Sequence, residues 1–400
     1  MQHRAEPIAK QAAPDFPAVS PQADWLLDPE LAYLNQGAFS AIPRSIRAAQ
    51  TVWRDRIDLN PARFYMEELF SELADAALPL ARFVGVAPER LAFVENATAG
   101  MATVLADFDF RPGDRVVMTS HVYGAVRNTL QHLSERYGVV VDEVMLPPNP
   151  EDEDAVLAPI TAALATAPRL LVVDHITSAS ALIFPIAAIV AVARTAGVPV
   201  LVDGSHAPGM IALDVDAINA HWYVGNCHKW LCAPKGAAFL ARSADAPAPH
   251  PLVISHAYGQ GFPAEFRKIG TRDPSSMLTV PSALALHEEL GGAGLRARNR
   301  ALADAAAGLI ADAVGGEILG PASMRGAMAS IRLPGLPASF DLATALRVRL
   351  RQQHGIESLA VAFGGAMWMR VSAHAYNHWG QYEALAAALP GVIAELGVPA

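Results

Sequence analysis

Lys229 follows the apolar run Trp222-Tyr223-Val224-Gly225-Asn226-Cys227-His228, and Asp203 closes another, Val198 to Val202, ahead of Gly204-Ser205-His206. Read as the ends of neighbouring buried strands, the two residues present an amine and a carboxylate to one space. That pair suits pyridoxal phosphate (PLP). The amine can hold the aldehyde covalently, and the carboxylate can keep the pyridine nitrogen protonated, so that the ring draws electrons from the Cα of an amino acid. Asn96-Ala97-Thr98-Ala99-Gly100 adds a third feature, since it follows a strand-like run and opens a helical pattern. Backbone N–H groups and the Thr98 hydroxyl would there meet an anion on the helix dipole. A plain helix cap accounts for that pattern taken alone, and a lone strand-end Asp or loop Lys is commonplace; the combination is what points to one chemistry.

Positioning these groups requires a sheet. Apolar runs at Leu91 to Val94, Arg115 to Thr119, Val139 to Met145, Leu170 to Val173, Val198 to Val202, Trp222 to Val224 and Ala237 to Leu240 are mostly separated by helix-length segments such as Met101 to Phe108 and Ile186 to Ala196. Strands that are continuously apolar, joined by helices, predict a mainly parallel sheet covered on both faces, hence an α/β domain. Turn signals at Pro112-Gly113-Asp114, Pro147-Pro148-Asn149-Pro150 and Ala196-Gly197-Val198-Pro199 bound the runs. The acidic run Glu151 to Asp154 reads as a helix start meeting the N-terminal dipole rather than as a metal site. Three parts are expected: an N-terminal arm over 1–30, a large domain over 31–275 and a smaller C-terminal α/β domain over 276–400. No repeat of fixed period interrupts this plan.

The chain has 400 residues, 52 % of them hydrophobic and 17 % charged, with a mean hydropathy of +0.25. Such a chain either spans a membrane or buries itself in a large core and a subunit interface. The longest apolar stretch, Ala181 to Ala193, is broken by Pro185 and too short for a bilayer. The opening Met-Gln-His-Arg-Ala-Glu-Pro lacks the apolar segment of an export signal, which predicts the cytoplasm. Cys227 and Cys232 share one apolar element, read as packing residues in a reducing compartment. A net charge of −9 and a pI near 5.8 give no basic footprint for nucleic acid or anionic lipid.

The residues resemble the class V aminotransferase group of PLP enzymes, fold type I, which includes cysteine desulfurases, kynureninases and isopenicillin N epimerase. The likeness runs from Tyr33 to Tyr382 and is strongest to the isopenicillin N epimerase-like branch. It is carried by Tyr33-Leu34-Asn35-Gln36-Gly37, Asn96-Ala97-Thr98, Val122-Tyr123-Gly124-Ala125-Val126, Val202-Asp203-Gly204-Ser205-His206-Ala207-Pro208-Gly209 and His228-Lys229-Trp230. The resemblance implies a seven-stranded large-domain sheet, a homodimer with shared active sites, and roles for individual residues. Lys229 would bind the aldehyde and then move protons at Cα. Asp203 would hold the ring nitrogen, Tyr123 would stack on the ring, and His206 and Ser178 would reach the phenolic oxygen, where relatives often carry Gln and Asn. Ala97, Thr98, Asn226 and His228 would hold the phosphate, with Thr271 reaching the phosphate of the neighbouring subunit. Arg370, in Arg370-Val371-Ser372, would bind the substrate carboxylate as a two-pronged fork, together with Asn35.

The implied activity is PLP-dependent chemistry at Cα, with epimerisation of an amino-acid-derived substrate first, C–S β-elimination of the kind found in thiol-histidine biosynthesis second, and transamination third. His354 to Met369 contains no cysteine, which argues against persulfide-forming desulfuration. A non-enzymatic binding protein would be expected to lose Lys229 or Asp203, and both stand. No metal is expected: His374 and His378 have the helical i, i+4 spacing of a zinc pair but no further ligands. Gly259-Gln260-Gly261 lacks the third glycine and the leading strand of a dinucleotide fingerprint. Arg56, Arg63, Phe64 and Tyr65 fall where relatives shape the substrate entrance, without an assignable role.

Overall fold

A computed structural model describes residues 15–397. The first part of the expected N-terminal arm, 1–14, lies outside the described residues.

Seven strands form one sheet: β1 (Leu91–Val94), β2 (Arg115–Thr119), β3 (Val140–Val144), β4 (Leu170–Asp174), β5 (Val200–Asp203), β6 (Trp222–Asn226) and β7 (Ala238–Arg242). Their spatial order is β1-β7-β6-β5-β4-β2-β3. β7 runs antiparallel to both of its neighbours, and the remaining pairs are parallel. The inner strands are apolar through their middles because both faces are covered. Val117, Val173, Val202 and Tyr223 face one core with helices α1 (Leu69–Val84), α4 (Asp154–Leu164) and α5 (Ile186–Thr195). Val116, Val172, Leu201 and Val224 face the other, with α2 (Ala97–Asp107) and α3 (Gly124–Tyr137). The expected seven-stranded, mainly parallel sheet is thus present.

The C-terminal part is built on a second sheet. Strands β8 (Met328–Pro337), β9 (Leu359–Phe363) and β10 (Ala366–Ser372) pair antiparallel in the order β9-β10-β8. Helices α6 (Ala293–Val314), α7 (Phe340–His354) and α8 (Trp379–Leu396) bury Leu302, Ile310, Leu346, Leu350, Leu385 and Leu389 against Ile331, Met369 and Val371 of that sheet. Residues Met277 to Leu284 pack into the first core, so the stretch just past 276 serves the large sheet and the second core takes up from Leu302. Leu34 joins the second core, and Ala32–Tyr33 pair in parallel with Ile356–Glu357. Ser372 donates its N–H to Leu34 O, which lays the segment after Tyr33 beside the strand that carries Arg370. No helix among the described residues is long and apolar enough to cross a membrane.

Candidate active site

β4, β5 and β6 end together, with Asp174 opposite Asp203 and Asp203 opposite Val224 in the ladder. Ligands of open α/β sheets bind outside such carboxyl ends. A cavity of about 320 Å³ lies there, lined by Ala97, Thr98, Tyr123, Ser178, Asp203, His206, Asn226, His228 and Lys229. The volume falls at the lower end of the roughly 300–1,000 Å³ of small-molecule sites.

One wall is the start of α2. Asn96 caps the helix by accepting from Ala99 N–H at 2.8 Å, and Asn226 Oδ1 accepts from Ala97 N–H at 2.9 Å. The tip of β6 is thereby tied to the helix N-terminus. Of the two residues expected to offer N–H groups, Ala97 has its own engaged, whereas the Thr98 N–H and hydroxyl take no partner among the described residues. The exposed N-terminus of an 11-residue helix with free donors suits a bound anion. His228 hydrogen-bonds Ala237 O through Nδ1 at 3.0 Å, and burial pushes its pKa down to about 4.

Lys229 is half-buried, with its Nζ 3.0 Å from His206 Nε2. The Trp230 indole N–H donates to His206 Nδ1 at 3.3 Å, so the neutral imidazole carries its proton on Nε2 and can donate it to the Lys229 amine once that amine has lost its own proton. Electrostatics bring the unprotonated form of the amine closer to neutral pH. Burial pushes the Lys229 pKa down to about 8; Arg370 lowers it further, and Asp203 and Asp174 pull the other way. His206 is held neutral by burial first, then by the positive charge of Lys229 and Arg370. Asp203 is fixed differently: its Oδ1 accepts from the Ser205 N–H at 2.9 Å and from the Ser205 hydroxyl. Its other oxygen accepts no hydrogen bond among the described residues. Behind it, Gly204 has no side chain because a Cβ would meet the Tyr223 ring at 2.2–2.3 Å. Tyr223 cannot swing away, since its hydroxyl is held by His175 Nδ1 at 2.8 Å.

Arg370 enters from β10 and is 1 % exposed. It donates to Ser178 O at 2.7 Å and sits 3.4 Å from Ser178 Oγ, so Ser178 supports Arg370 as well as facing the cavity. Arg370 Nε and Asn35 Oδ1 are both buried without a partner. Burial pushes the guanidinium pKa down to about 10, which still leaves it charged at neutral pH. Neither Arg370 nor Asn35 is in the cavity wall, from which Ser178 separates Arg370; a buried cation with an unused donor there is suited to an anionic group.

Thr271 is exposed and does not line the cavity, although Arg272 beside it pairs with Glu95 in the cavity wall. Arg56 and Arg63 bind Glu68 at 2.6 and 2.8 Å, Phe64 is buried, and Tyr65 donates to Arg272 O; none of the four lines the cavity. The helical spacing read for His374 and His378 does not form. His374 lies before the helix, buried against Trp230 O, and His378 is the N-cap of α8. Among the described residues no three His, Cys, Asp or Glu side chains form a metal-binding group. Three ionisable cavity residues escaped the sequence reading: Asp174, Glu95 and Lys235, whose Nζ donates to Ser40 O at 2.6 Å. For Asp174 the signal was available, since it ends an apolar run just as Asp203 does.

A profile described as Aminotransferase class-V matches residues 47–385. The chain is 33 % identical over 410 residues to the putative L-cysteine desulfhydrase 2 of Oryza sativa subsp. japonica, covering 92 % of this chain and 86 % of that one. It is 32 % identical over 399 residues to isopenicillin N epimerase of Streptomyces clavuligerus, covering 93 % and 99 %. Among solved structures, a lysine-to-alanine mutant of C-DES with glycine covalently linked to its PLP cofactor superposes with a TM-score of 0.77 at 20 % identity, covering 93 % of this chain and 99 % of that one. The cystine C–S lyase C-DES in complex with its product cysteine persulfide gives a TM-score of 0.75 at 21 % identity, covering 90 % and 97 %. These structural likenesses show the fold, the large sheet domain with its smaller C-terminal partner that characterises fold type I. A family profile spanning most of the chain, and relatives above 30 % identity over nearly their whole length, settle the rest: this protein belongs to the class V aminotransferase family of enzymes.

Proposed function

We propose that this protein is a PLP-dependent enzyme that removes the Cα proton of a small amino acid and expels a sulfur substituent from its β-carbon. The observation that carries the PLP reading is the meeting, in one cavity, of a half-buried lysine with a lowered pKa, a carboxylate with one oxygen left open, and a helix N-terminus with free donors. These are the three complements of an aldehyde, a pyridine nitrogen and a phosphate. Bound PLP supplies the electron sink for the pair left at Cα. Lys229 would hold the aldehyde, and its free amine would move the Cα proton. Asp203 holds the ring nitrogen, and His206 and Ser178 face the phenolic oxygen. Thr98, with Ala97, Asn226 and His228 around it, holds the phosphate. Tyr123 would lie against the ring, while Arg370 and Asn35 would receive the substrate carboxylate.

Four relatives over most of this chain bear the name L-cysteine desulfhydrase, in three cases qualified as putative or probable. Epimerisation is the second reading. It is favoured by Tyr123, which reaches the cavity from the end of β2, two strands from Asp203 and on the opposite side of it from Lys229. Incubation in D₂O with a panel of amino acids separates the outcomes. Elimination releases keto acid, ammonia and thiol or sulfide; exchange with inversion at Cα and no keto acid would overturn it in favour of epimerisation. Amino-group exchange with a keto acid would indicate transamination.

Two further results are expected from the same residues. Replacing Arg370 with Lys retains a charge but not the fork, and should lower kcat/KM about ten- to a hundredfold, mainly through KM. An unchanged KM would remove Arg370 from the carboxylate site. The lowered pKa of Lys229 means that cofactor-stripped protein captures added PLP faster as pH rises to about 8, then levels off. An ordinary lysine would keep gaining rate to beyond pH 10.

A homodimer belongs to this reading. Phe39, in the cavity wall, is 73 % exposed, and Met66, Leu252, Val253, Ile254 and Tyr258 are exposed large apolar side chains, more than a lone surface needs. A second copy covering them would bring its Thr271 to a phosphate. Sedimentation should return twice the 42.3 kDa chain mass; a monomer at working concentration would contradict the shared site. The buried, unpaired Cys227 and Cys232 fit a reducing compartment such as the cytoplasm.

A further inference from the structure

Asp174 and Asp203 end adjacent parallel strands and are Cα partners in the ladder. Their side chains therefore leave the same face of the sheet at a strand spacing of about 4.8 Å. Both line the cavity, and they are only 2 % and 4 % exposed. Two carboxyl groups on neighbouring strands, both shielded from solvent, do not both ionise; one keeps a proton. Hydrogen bonding decides which one. Asp203 accepts two donors from Ser205, which steady a negative charge, whereas Asp174 Oδ1 is buried with no partner at all. The groups facing Asp174 are Asp203 from β5, the Lys229 amine beyond β6 and the Tyr123 N–H beyond β2. Burial first, then Asp203, pushes the Asp174 carboxyl well above the usual range, against Lys229 and the Tyr123 N–H.

We propose that Asp174 is a positioning residue of the cofactor site: it keeps its proton, donates it in a hydrogen bond to the open oxygen of Asp203, and so moderates the hold of Asp203 on the ring nitrogen. This rests on the reading of Asp203 as the partner of that nitrogen. A carboxylate that shares its charge with a neighbouring acid is a weaker base, and the nitrogen it faces is less completely protonated. The site then withdraws electrons from Cα less strongly than a lone aspartate would allow.

The test uses full-length wild type, Asp174→Asn and Asp174→Val, each loaded with PLP carrying ¹⁵N in the ring and expressed with and without ¹³C-carboxyl aspartate. At pH 8 the infrared spectrum of wild type should contain a label-sensitive carbonyl band of a protonated carboxylic acid that Asp174→Asn lacks. Absence of that band in wild type overturns the proposal. The amide N–H of Asp174→Asn replaces the lost O–H, so the ¹⁵N resonance should stay close to that of wild type, whereas Asp174→Val should move it towards full protonation. Equal displacement in both variants, or none in Asp174→Val, also overturns the proposal, because a role in packing alone does not separate an amide from an isopropyl group. A wild-type protein that takes up no PLP overturns the reading of the whole site, and this is distinguishable because the infrared band is read from the protein alone.

Discussion

Lys229→Ala should turn over substrate at least about 10⁴-fold more slowly than wild type, since one change removes both the covalent attachment point and the group that moves the Cα proton. The variant should still bind PLP, because Thr98 and Asp203 remain in place, but the absorbance of the lysine-linked coenzyme should be lost. Lys235 lines the same cavity and cannot stand in, as its amine is engaged by Ser40 O at 2.6 Å. A small amine such as methylamine, added to Lys229→Ala, should recover part of the rate if the cavity is otherwise intact. A variant retaining a tenth of the wild-type rate would refute the assignment, and one that fails to rebind PLP would point to a collapsed site.

Asp203→Ala and Asp203→Asn carry the second large effect. Breaking a buried charge pair costs about 3–5 kcal/mol, which as a barrier corresponds to roughly 10²–10⁴-fold in rate. The Asn variant is the sharper probe. It preserves the shape and an acceptor for the Ser205 N–H, yet its amide has no negative charge with which to keep a ring nitrogen protonated. The loss should therefore appear in single-turnover rates of Cα–H exchange, with PLP affinity affected less. Wild-type exchange in Asp203→Asn would assign the nitrogen to another group, and Asp174 would be the first to consider.

The strands were legible because the large sheet is buried on both faces, leaving continuous apolar runs; β1 and β2 have the bounds the sequence predicts. At the carboxyl ends polarity and structure part company. The apolar runs stop at Val173, Val202 and Val224, whereas the ladder continues through Asp174, Asp203 and Asn226, since its hydrogen bonds are made by backbone and do not depend on side-chain polarity. Asp203 was recovered by its motif. Asp174, with the same position at the end of a strand, was missed because the reading ended one residue short.

The converse error arose at His374 and His378. Their spacing matches a helix, but the chain leaving β10 is irregular there and α8 starts only at Trp379, so the i, i+4 argument has no helix to act on. α2 begins at Ala97, four residues earlier than the apolar pattern indicates, because its first turn is held by the Asn96 cap and by Asn226 instead of by core packing. Arg370 could be named from its motif, but its burial and its unused Nε required the fold, since Ser178 lies 192 residues away in sequence. Thr271 depends on a second copy, which the sequence of one chain does not contain.

The chain has four lysines, Lys10, Lys229, Lys235 and Lys268, and two of them line the cavity. Reducing the PLP-loaded protein with borohydride and mapping its peptides by mass spectrometry tests the central claim directly. The phosphopyridoxyl group should be found stoichiometrically on Lys229 and on no other lysine. Stoichiometric labelling of Lys235, or a fully labelled Lys229→Ala variant, would contradict the account.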